Sequence, residues 1–289
     1  MLIFKKVADL RQWLAAQTSP IGFAPTMGAL HAGHLELIQM AKQDGCVAVA
    51  SIFVNPTQFN DPKDLLKYPR TAEKDIQLLH SVQCDALFMP PVEEVYPADL
   101  NVHISLEFNQ LDKVMEGKFR PGHFQGMATV VNRLLDIVRP QYLYMGQKDY
   151  QQLSIVREMI EQLQLPVNLI MCPTVRESDG LAMSSRNTRL DSEMRAAAPL
   201  IYQTLLWAKT AFEADMPAAD IQTAAMHRLQ QAGLRPEYFD LMDGSTLIAL
   251  AATDTRTSLT SVASARTWVS CVAAFAGEVR LIDNLILHP

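Results

Sequence analysis

Residues 24–34 read APTMGALHAGH, with His31 and His34 three positions apart and glycines at 28 and 33. Imidazoles and glycines at the point where a strand hands over to a helix suit a phosphate. Backbone N–H groups and the positive end of a helix dipole meet there, and glycine lets a ligand approach the main chain closely. The histidines add donors for charge that grows on phosphate oxygens in a transition state. A second donor cluster, MSSRN at 183–187, offers the hydroxyls of Ser184 and Ser185 and the guanidinium of Arg186, a set that can hold a polyphosphate, with the arginine binding in bidentate fashion. A third, MGQKDYQQ at 145–152, places Gly146, a point charge on Lys148 and an acceptor for ribose hydroxyls on Asp149, with Gln152 one turn further on. A fourth, FVNPTQFNDPKDLLKYPRT at 53–71, carries Asn55 and Gln58. These are uncharged two-way hydrogen bonders, suited to a substrate rich in hydroxyl and carboxylate oxygens. Taken singly, each cluster has a plainer reading: an N-cap histidine, a solvated Ser-Ser-Arg turn, a helix start capped by Asp149, or a Pro/Asn turn series.

The elements that must position these groups follow from apolar patterning. Val47–Val54 is apolar except at Ser51, as expected of a strand buried on both faces. Ile21–Ala24, Ala86–Met89, Tyr142–Met145 and Val167–Cys172 read similarly. Between them lie amphipathic segments. Met127, Val130, Val131, Leu134, Leu135 and Val138 share one helix face over about 123–138, which Pro140 ends. Leu153, Val156, Ile160 and Leu163 mark another helix, stopped by Pro166. Pro25, Pro56, Pro62 and Pro69 point to stiff loops. Strands alternating with helices predict a parallel sheet covered on both sides. After about residue 176 the texture changes to two Ala-rich helical stretches, about 191–213 and 218–232, and then strand-like runs at Tyr238–Met242, Thr267–Phe275 and Glu278–Leu287. The expected fold is α/β, a Rossmann-like parallel-sheet domain over 1–175 with a smaller C-terminal α+β domain over 176–289.

Composition narrows the function. Hydrophobic residues make up 49% and charged residues 19% of the 289, as in an ordinary globular protein. No run approaches a membrane span, and no signal peptide is expected from MLIFKKVADLRQWL. Cys46, Cys84, Cys172 and Cys271 are scattered without a CxxC pair, which argues against a disulfide framework or structural zinc and fits a reducing cytoplasm. A net charge of −6 argues against nucleic acid as partner.

The glycine spacing in APTMGALHAGH matches neither a Walker A loop nor GxGxxG. HxGH at a strand–helix junction instead resembles the signature of the class I aminoacyl-tRNA synthetase and nucleotidylyltransferase superfamily, and MSSRN resembles a shortened form of its KMSKS loop. Taken together, PTMGALHAGH, NPTQFNDPKDLLKYPRT, EGKFRPGHFQGMATVV, GQKDYQQL and CPTVRESDGLAMSSRN resemble the pantoate–β-alanine ligase family in order and approximate spacing from about residue 25 to 190. The remainder matches loosely, YFDLMD and RLIDNLIL most recognisably. Met145 stands where the family often has Phe, and Met127 where it often has Val. Both keep apolar bulk.

The resemblance implies ATP-dependent condensation of (R)-pantoate with β-alanine through a pantoyl adenylate, in a cytoplasmic homodimer, without nucleic acid or membrane. It implies roles position by position. Met27, Gly28, Ala29, Leu30, His31, Ala32, Gly33 and His34 form the ATP-binding junction. Gly146, Gln147, Lys148 and Asp149 form the nucleotide loop, and Val175 offers backbone to adenine. Met183, Ser184, Ser185 and Arg186 cover the triphosphate. His34, His31, Lys148 and Arg186 are the expected catalytic groups, and Gln58, Gln152 and Asn55 bind substrate. Mg2+ is expected on the phosphates, with Asp75 as a candidate ligand. Two rival readings remain. A nucleotidylyltransferase would leave NPTQF without a role. A non-catalytic nucleotide sensor predicts erosion of polar site positions, yet His31, His34, Lys148, Asp149, Ser184, Ser185 and Arg186 are all present.

Overall fold

A parallel sheet covered on both sides needs strands that are apolar on both faces, and the chain supplies them in alternation with helices. The computed structural model describes residues 1–58, 66, 68–102, 104–262 and 266–288. Residues 59–65 and 67, and with them Pro62 and most of the FNDPKDLLK stretch, lie outside the described residues. The chain divides into two compact units, Met1–Gln147 with Gln151–Pro173, and Lys148–Tyr150 with Thr174–Pro289.

In the first unit β1 (Leu2–Phe4), β2 (Ile21–Thr26), β3 (Val47–Ile52), β4 (Ala86–Phe88), β5 (Tyr142–Gly146) and β6 (Asn168–Cys172) form one sheet in the order β1-β4-β3-β2-β5-β6. All its pairings are parallel. From β2 the chain steps outward through β3 to β4, then crosses to the other side for β5 and β6. The order therefore reverses between β2 and β5, where open α/β sheets bind ligands beyond the carboxyl ends of their strands.

Pairing detail opens that crevice. The β2–β5 ladder stops at Phe23↔Leu143, whereas β2 stays paired with β3 as far as Thr26↔Ile52. Pro25, expected in a loop, lies inside β2. Even-numbered residues of β2 face β3, since the Thr26 carbonyl accepts the Phe53 amide, and odd-numbered ones face β5, since the Ile21 carbonyl accepts the Gln141 amide. Pro25 thus turns its N–H-less nitrogen toward the side where the ladder has already ended, and no sheet hydrogen bond is lost.

The helices of this unit are α1 (Val7–Ala15), α2 (Ala32–Gln43), α3 (Ala72–Ser81), α4 (His123–Val138) and α5 (Tyr150–Gln162), with short turns at Val92–Val95 and Met115–Phe119. All six stripe residues expected to face the core from α4 are buried. The helix ends at Arg139, which takes a left-handed conformation before Pro140. On α2, Leu37, Ile38 and Ala41 pack with Ala24, Ala48, Ala50 and Leu87 of the sheet.

The second unit carries α6 (Ser192–Ala197), α7 (Leu200–Glu213), α8 (Ala218–Gln231), α9 (Arg256–Val262) and an antiparallel sheet of β7 (Arg235–Asp243), β8 (Trp268–Ala276) and β9 (Val279–His288), in that order. Its core joins Leu205, Phe212, Ile221 and Leu229 of the helices to Phe239, Trp268 and Val272 of the sheet. The Phe212 and Trp268 rings lie 5.9 Å apart. The single helix expected over 191–213 is two. Pro199 has no N–H to return to the preceding turn, so the first stops at Ala197 and Pro199 caps the second.

The four cysteines are free and buried. Burial pushes the Cys84 thiol up to about 11 and the Cys172 thiol up to about 12, so both stay protonated at neutral pH.

Candidate active site

The segment after β2 is shaped by a buried carboxylate. Gly28 and Ala29 both adopt positive φ, 83° and 51°. This left-handed pair brings the Ala29 and Leu30 amides onto Asp75, whose Oδ2 and Oδ1 accept them at 2.9 and 2.8 Å. The Thr71 hydroxyl gives Asp75 a further bond at 3.1 Å. A side chain on Gly28 would come within 3.1 Å of that carboxylate, so this position combines a φ that favours glycine with little room.

Asp75, expected as a magnesium ligand, is 1% exposed and holds the turn with both carboxylate oxygens. Ala29 and Leu30, expected in the ATP-binding junction, give their amides to that carboxylate. Among the described residues no three His, Cys, Asp or Glu side chains gather to hold a metal ion. Asp75→Ala leaves two amides without their charged acceptor. It is expected to lower unfolding stability by about 3 kcal/mol in urea titration, with the magnesium dependence of the residual activity unchanged. Full stability with a many-fold weaker magnesium response would make Asp75 a metal ligand after all.

The helix α2 begins immediately beyond. His31 is its N-cap, in extended conformation at φ −139° and ψ 175°. His34 turns back so that its Nδ1 accepts the His31 amide at 3.3 Å, with the two rings 4.1 Å apart. In the neutral ring that bond leaves the proton on Nε2, which becomes a donor. The first-turn amides of Ala32 and Gly33 have no intrahelical carbonyl to meet and are the main-chain donors a phosphate would find.

Gln58 is brought to this turn. It ends the short helical turn Pro56–Gln58, is 7% exposed, and its Nε2 donates to Met27 Sδ at 2.8 Å. Asn55 fixes it from behind. The Asn55 amide nitrogen donates to Gln58 Oε1 at 3.2 Å and to the Gly126 carbonyl at 3.3 Å. Its oxygen accepts from the Thr57 hydroxyl at 3.0 Å and from the Tyr96 hydroxyl at 2.8 Å. Asn55, expected to bind substrate, is 1% exposed with its amide group engaged on both sides, and one of those bonds holds Gln58. Burial raises the Tyr96 pKa above its ordinary value, which keeps that hydroxyl a donor.

Sequence spacing assigns no role to Tyr96, His123 or Gly126. The His123 ring donates to the Gln58 carbonyl at 3.0 Å through Nδ1. A Cβ on Gly126 would lie 2.5 Å from the Thr57 carbonyl oxygen, so glycine is required for α4 to approach this closely. The available signal is a histidine and a glycine interrupting the start of an otherwise apolar helix.

Gly146 ends β5 and Gln147 follows it, beside the end of β2 in the sheet order. Gln152 is half-buried in the first turn of α5.

The remaining candidates belong to the second unit, where Lys148, Ser184 and Arg186 line one recess with Asp283 and Arg280. Asp149 lies beside Lys148, with Lys148 Nζ to Asp149 Oδ1 at 3.7 Å. Ser184 is the N-cap of a short helical turn Ser185–Arg189, and its hydroxyl accepts the Arg186 amide at 3.2 Å. The segment is braced at its root. Val175, expected to offer backbone to adenine, has its carbonyl on the Met183 amide at 3.0 Å. Asn187 bonds Glu177 at 2.7 Å and the Ala182 carbonyl at 3.0 Å. Arg195 pairs with Glu177 and Asp179, and its hydrogen bond holds the Asp179 carboxyl below the usual carboxylate range.

The family model described as Pantoate-beta-alanine ligase matches residues 2–286. A pantothenate synthetase of Porphyromonas gingivalis is 45% identical over 292 residues, covering 99% of both chains. One from Bacteroides thetaiotaomicron is 43% identical over 289 residues, covering 99% of this chain and 98% of that one. The crystal structure of pantothenate synthetase from Thermus thermophilus superposes with a TM-score of 0.89 at 41% identity, covering all of both chains. That of a pantoate-beta-alanine ligase from Francisella tularensis, complexed with beta-gamma ATP and beta-alanine, has a TM-score of 0.79 at 34% identity, covering 99% of this chain and 98% of that one. With a match this complete, the chain belongs to the pantoate–β-alanine ligase family.

Proposed function

We propose that this protein condenses (R)-pantoate with β-alanine at the expense of ATP, releasing AMP and pyrophosphate. A carboxylate is a poor acyl donor. In the first step a pantoate carboxylate oxygen attacks the α-phosphorus, the bond to the bridging oxygen breaks, and pyrophosphate leaves. In the second the unprotonated β-alanine amine attacks the activated carbonyl carbon, loses a proton, and AMP departs with the C–O bond electrons. The mixed anhydride must be kept from water between the steps.

The observation that carries this reading is the contact of Gln58 with Met27. It puts an amide able to read hydroxyl and carboxylate oxygens against the phosphate-binding turn, where neither a nucleotide sensor nor an enzyme adenylating a phosphate has use for it. His34, with its proton on Nε2, and His31 stabilise charge growing on the α-phosphate. Lys148, Ser184, Ser185 and Arg186 supply cationic and hydroxyl donors for the departing pyrophosphate. Asp149 serves the ribose. Gln152 joins Gln58 on pantoate. Magnesium enters this proposal as the counter-ion of ATP, carried on phosphates and water. A cytoplasmic homodimer rests on the family resemblance. No helix among the described residues is long and apolar enough to cross a membrane.

Pyrophosphate–ATP exchange with (R)-pantoate and magnesium, β-alanine omitted, tests the first step. Exchange is expected only when pantoate is present, and adding β-alanine should then release AMP. Intact ATP binding with no exchange at any pantoate concentration would point to a different acceptor or to a nucleotide sensor.

A further inference from the structure

One dipeptide of β9 engages both segments of the second unit assigned above to the polyphosphate. Asn284 is 2% exposed, and its side-chain nitrogen donates to the Lys148 carbonyl at 2.8 Å. Its neighbour Asp283, 4% exposed, takes the Arg176 guanidinium through contacts of 2.6 and 3.1 Å. Asp283 Oδ1 also accepts the Asn284 main-chain amide at 2.8 Å, which joins the two halves of the arrangement. Arg176 donates to the Gly180 carbonyl at 3.1 Å, stacks 3.6 Å from the centre of the Tyr202 ring, and bridges in antiparallel fashion to Ala182. Ala182 directly precedes Met183–Arg186. The root of the Ser-Ser-Arg segment and the main chain of Lys148 are therefore tied to consecutive residues of one strand.

Stability alone is a weak reason for this arrangement. A buried carboxylate and a half-buried guanidinium lose on desolvation much of what they gain from attraction, and a well-packed apolar pair of the same volume commonly does as well. Directional bonds do what apolar contacts cannot, because they set where Lys148 stands relative to Ser184 and Arg186 on the shared recess.

We propose that Asn284 is a positioning residue for ATP binding and adenylation: it fixes the Lys148 main chain, and Asp283 with Arg176 fixes the Ser184–Arg186 segment in register with it. The inference deepens the ATP-dependent reading above and rests on it. No part of Asn284 need touch the substrate.

A double-mutant cycle on the full-length protein separates this role from a merely structural one. The readout is affinity for a β,γ-methylene analogue of ATP. Asn284→Ala is expected to weaken binding about tenfold when Lys148 is present, the scale of one well-made hydrogen bond. In a Lys148→Ala background it should weaken binding less than about twofold, because the ammonium whose placement depends on that main chain is gone. The KM for pantoate should stay at the wild-type value, and Asn284→Ser, which keeps a donor, should recover part of the loss. Should Asn284→Ala fail to fold, Asn284→Ser replaces it in the same cycle. Equal losses in both backgrounds, or no loss in either, would overturn the proposal. A wild-type protein that binds the analogue but shows no pantoate-dependent exchange would defeat the assigned reaction and leave the cycle readable.

Discussion

Replacing His34 with alanine is expected to slow pantoate-dependent pyrophosphate exchange by about 10²–10³-fold, the range for losing one preorganised donor to a developing oxyanion. Affinity for ATP should fall far less. The reason is the direction of its hydrogen bonding. Because Nδ1 accepts the His31 amide, Nε2 carries the proton, and that donor strengthens only as charge builds on the α-phosphate oxygens. An interaction realised mainly in the transition state lowers kcat and kcat/KM together. The variant also loses the acceptor for the His31 amide. That resembles a lost helix cap, worth about 1 kcal/mol, so the melting midpoint should move only slightly and cannot account for the rate. His34→Gln keeps an N–H donor on a side chain of similar reach and should recover part of the activity. A His34→Ala enzyme with an unchanged kcat and a raised KM for ATP would assign the histidine to ground-state binding instead.

What sequence can reveal here depends on how far apart in the chain the interacting groups lie. The α4 helix is legible because its six apolar positions recur at helical spacing within one segment, and all six are buried. Five of the six strands of the parallel sheet are legible as short apolar runs, whereas β1 (Leu2–Phe4), a three-residue edge strand, is too short to stand out. The split at Pro199 is written in the sequence, since proline cannot donate in a helix interior, but an Ala-rich stretch on either side masks it. The role of Asp75 is not legible. Its partners Ala29 and Leu30 stand 46 and 45 positions away, and a carboxylate at that distance reads equally well as a metal ligand. The bracing contacts of Asn55 are hidden for the same reason. Its type suits a substrate, but its bond to the Gly126 carbonyl spans 71 positions and exists only once α4 has docked. Asn284 reaches Lys148 across 136 positions, so RLIDNLIL can be noticed as a point of resemblance without any visible reason for it. Motifs record which residue types the chemistry requires, and the fold decides which of them face a ligand and which hold the others still.

The Gln58→Ala substitution should raise the KM for pantoate by about 10- to 100-fold, as expected when a hydrogen bond to a charged group is removed, and leave the KM for ATP near its wild-type value. The present partner of the Gln58 amide is a thioether, Met27 Sδ at 2.8 Å, and sulfur is a weak acceptor. Exchanging that partner for a carboxylate or hydroxyl oxygen gives up little and gains a charge-assisted bond. Asn55, held in turn by Gly126 and Tyr96, keeps the amide oriented meanwhile, so little side-chain freedom remains to be lost when substrate binds. The isosteric Gln58→Glu should do worse than alanine, since it sets a carboxylate against the pantoate carboxylate in a poorly solvated site. Steady-state exchange kinetics at varied pantoate, with circular dichroism to check the fold, measure both variants. Ordinary pantoate kinetics in Gln58→Ala would remove Gln58 from the substrate site. If Gln58→Glu bound pantoate better than Gln58→Ala, the group facing Gln58 would have to be a donor, such as a pantoate hydroxyl or the β-alanine ammonium, and the carboxylate would lie elsewhere on the turn.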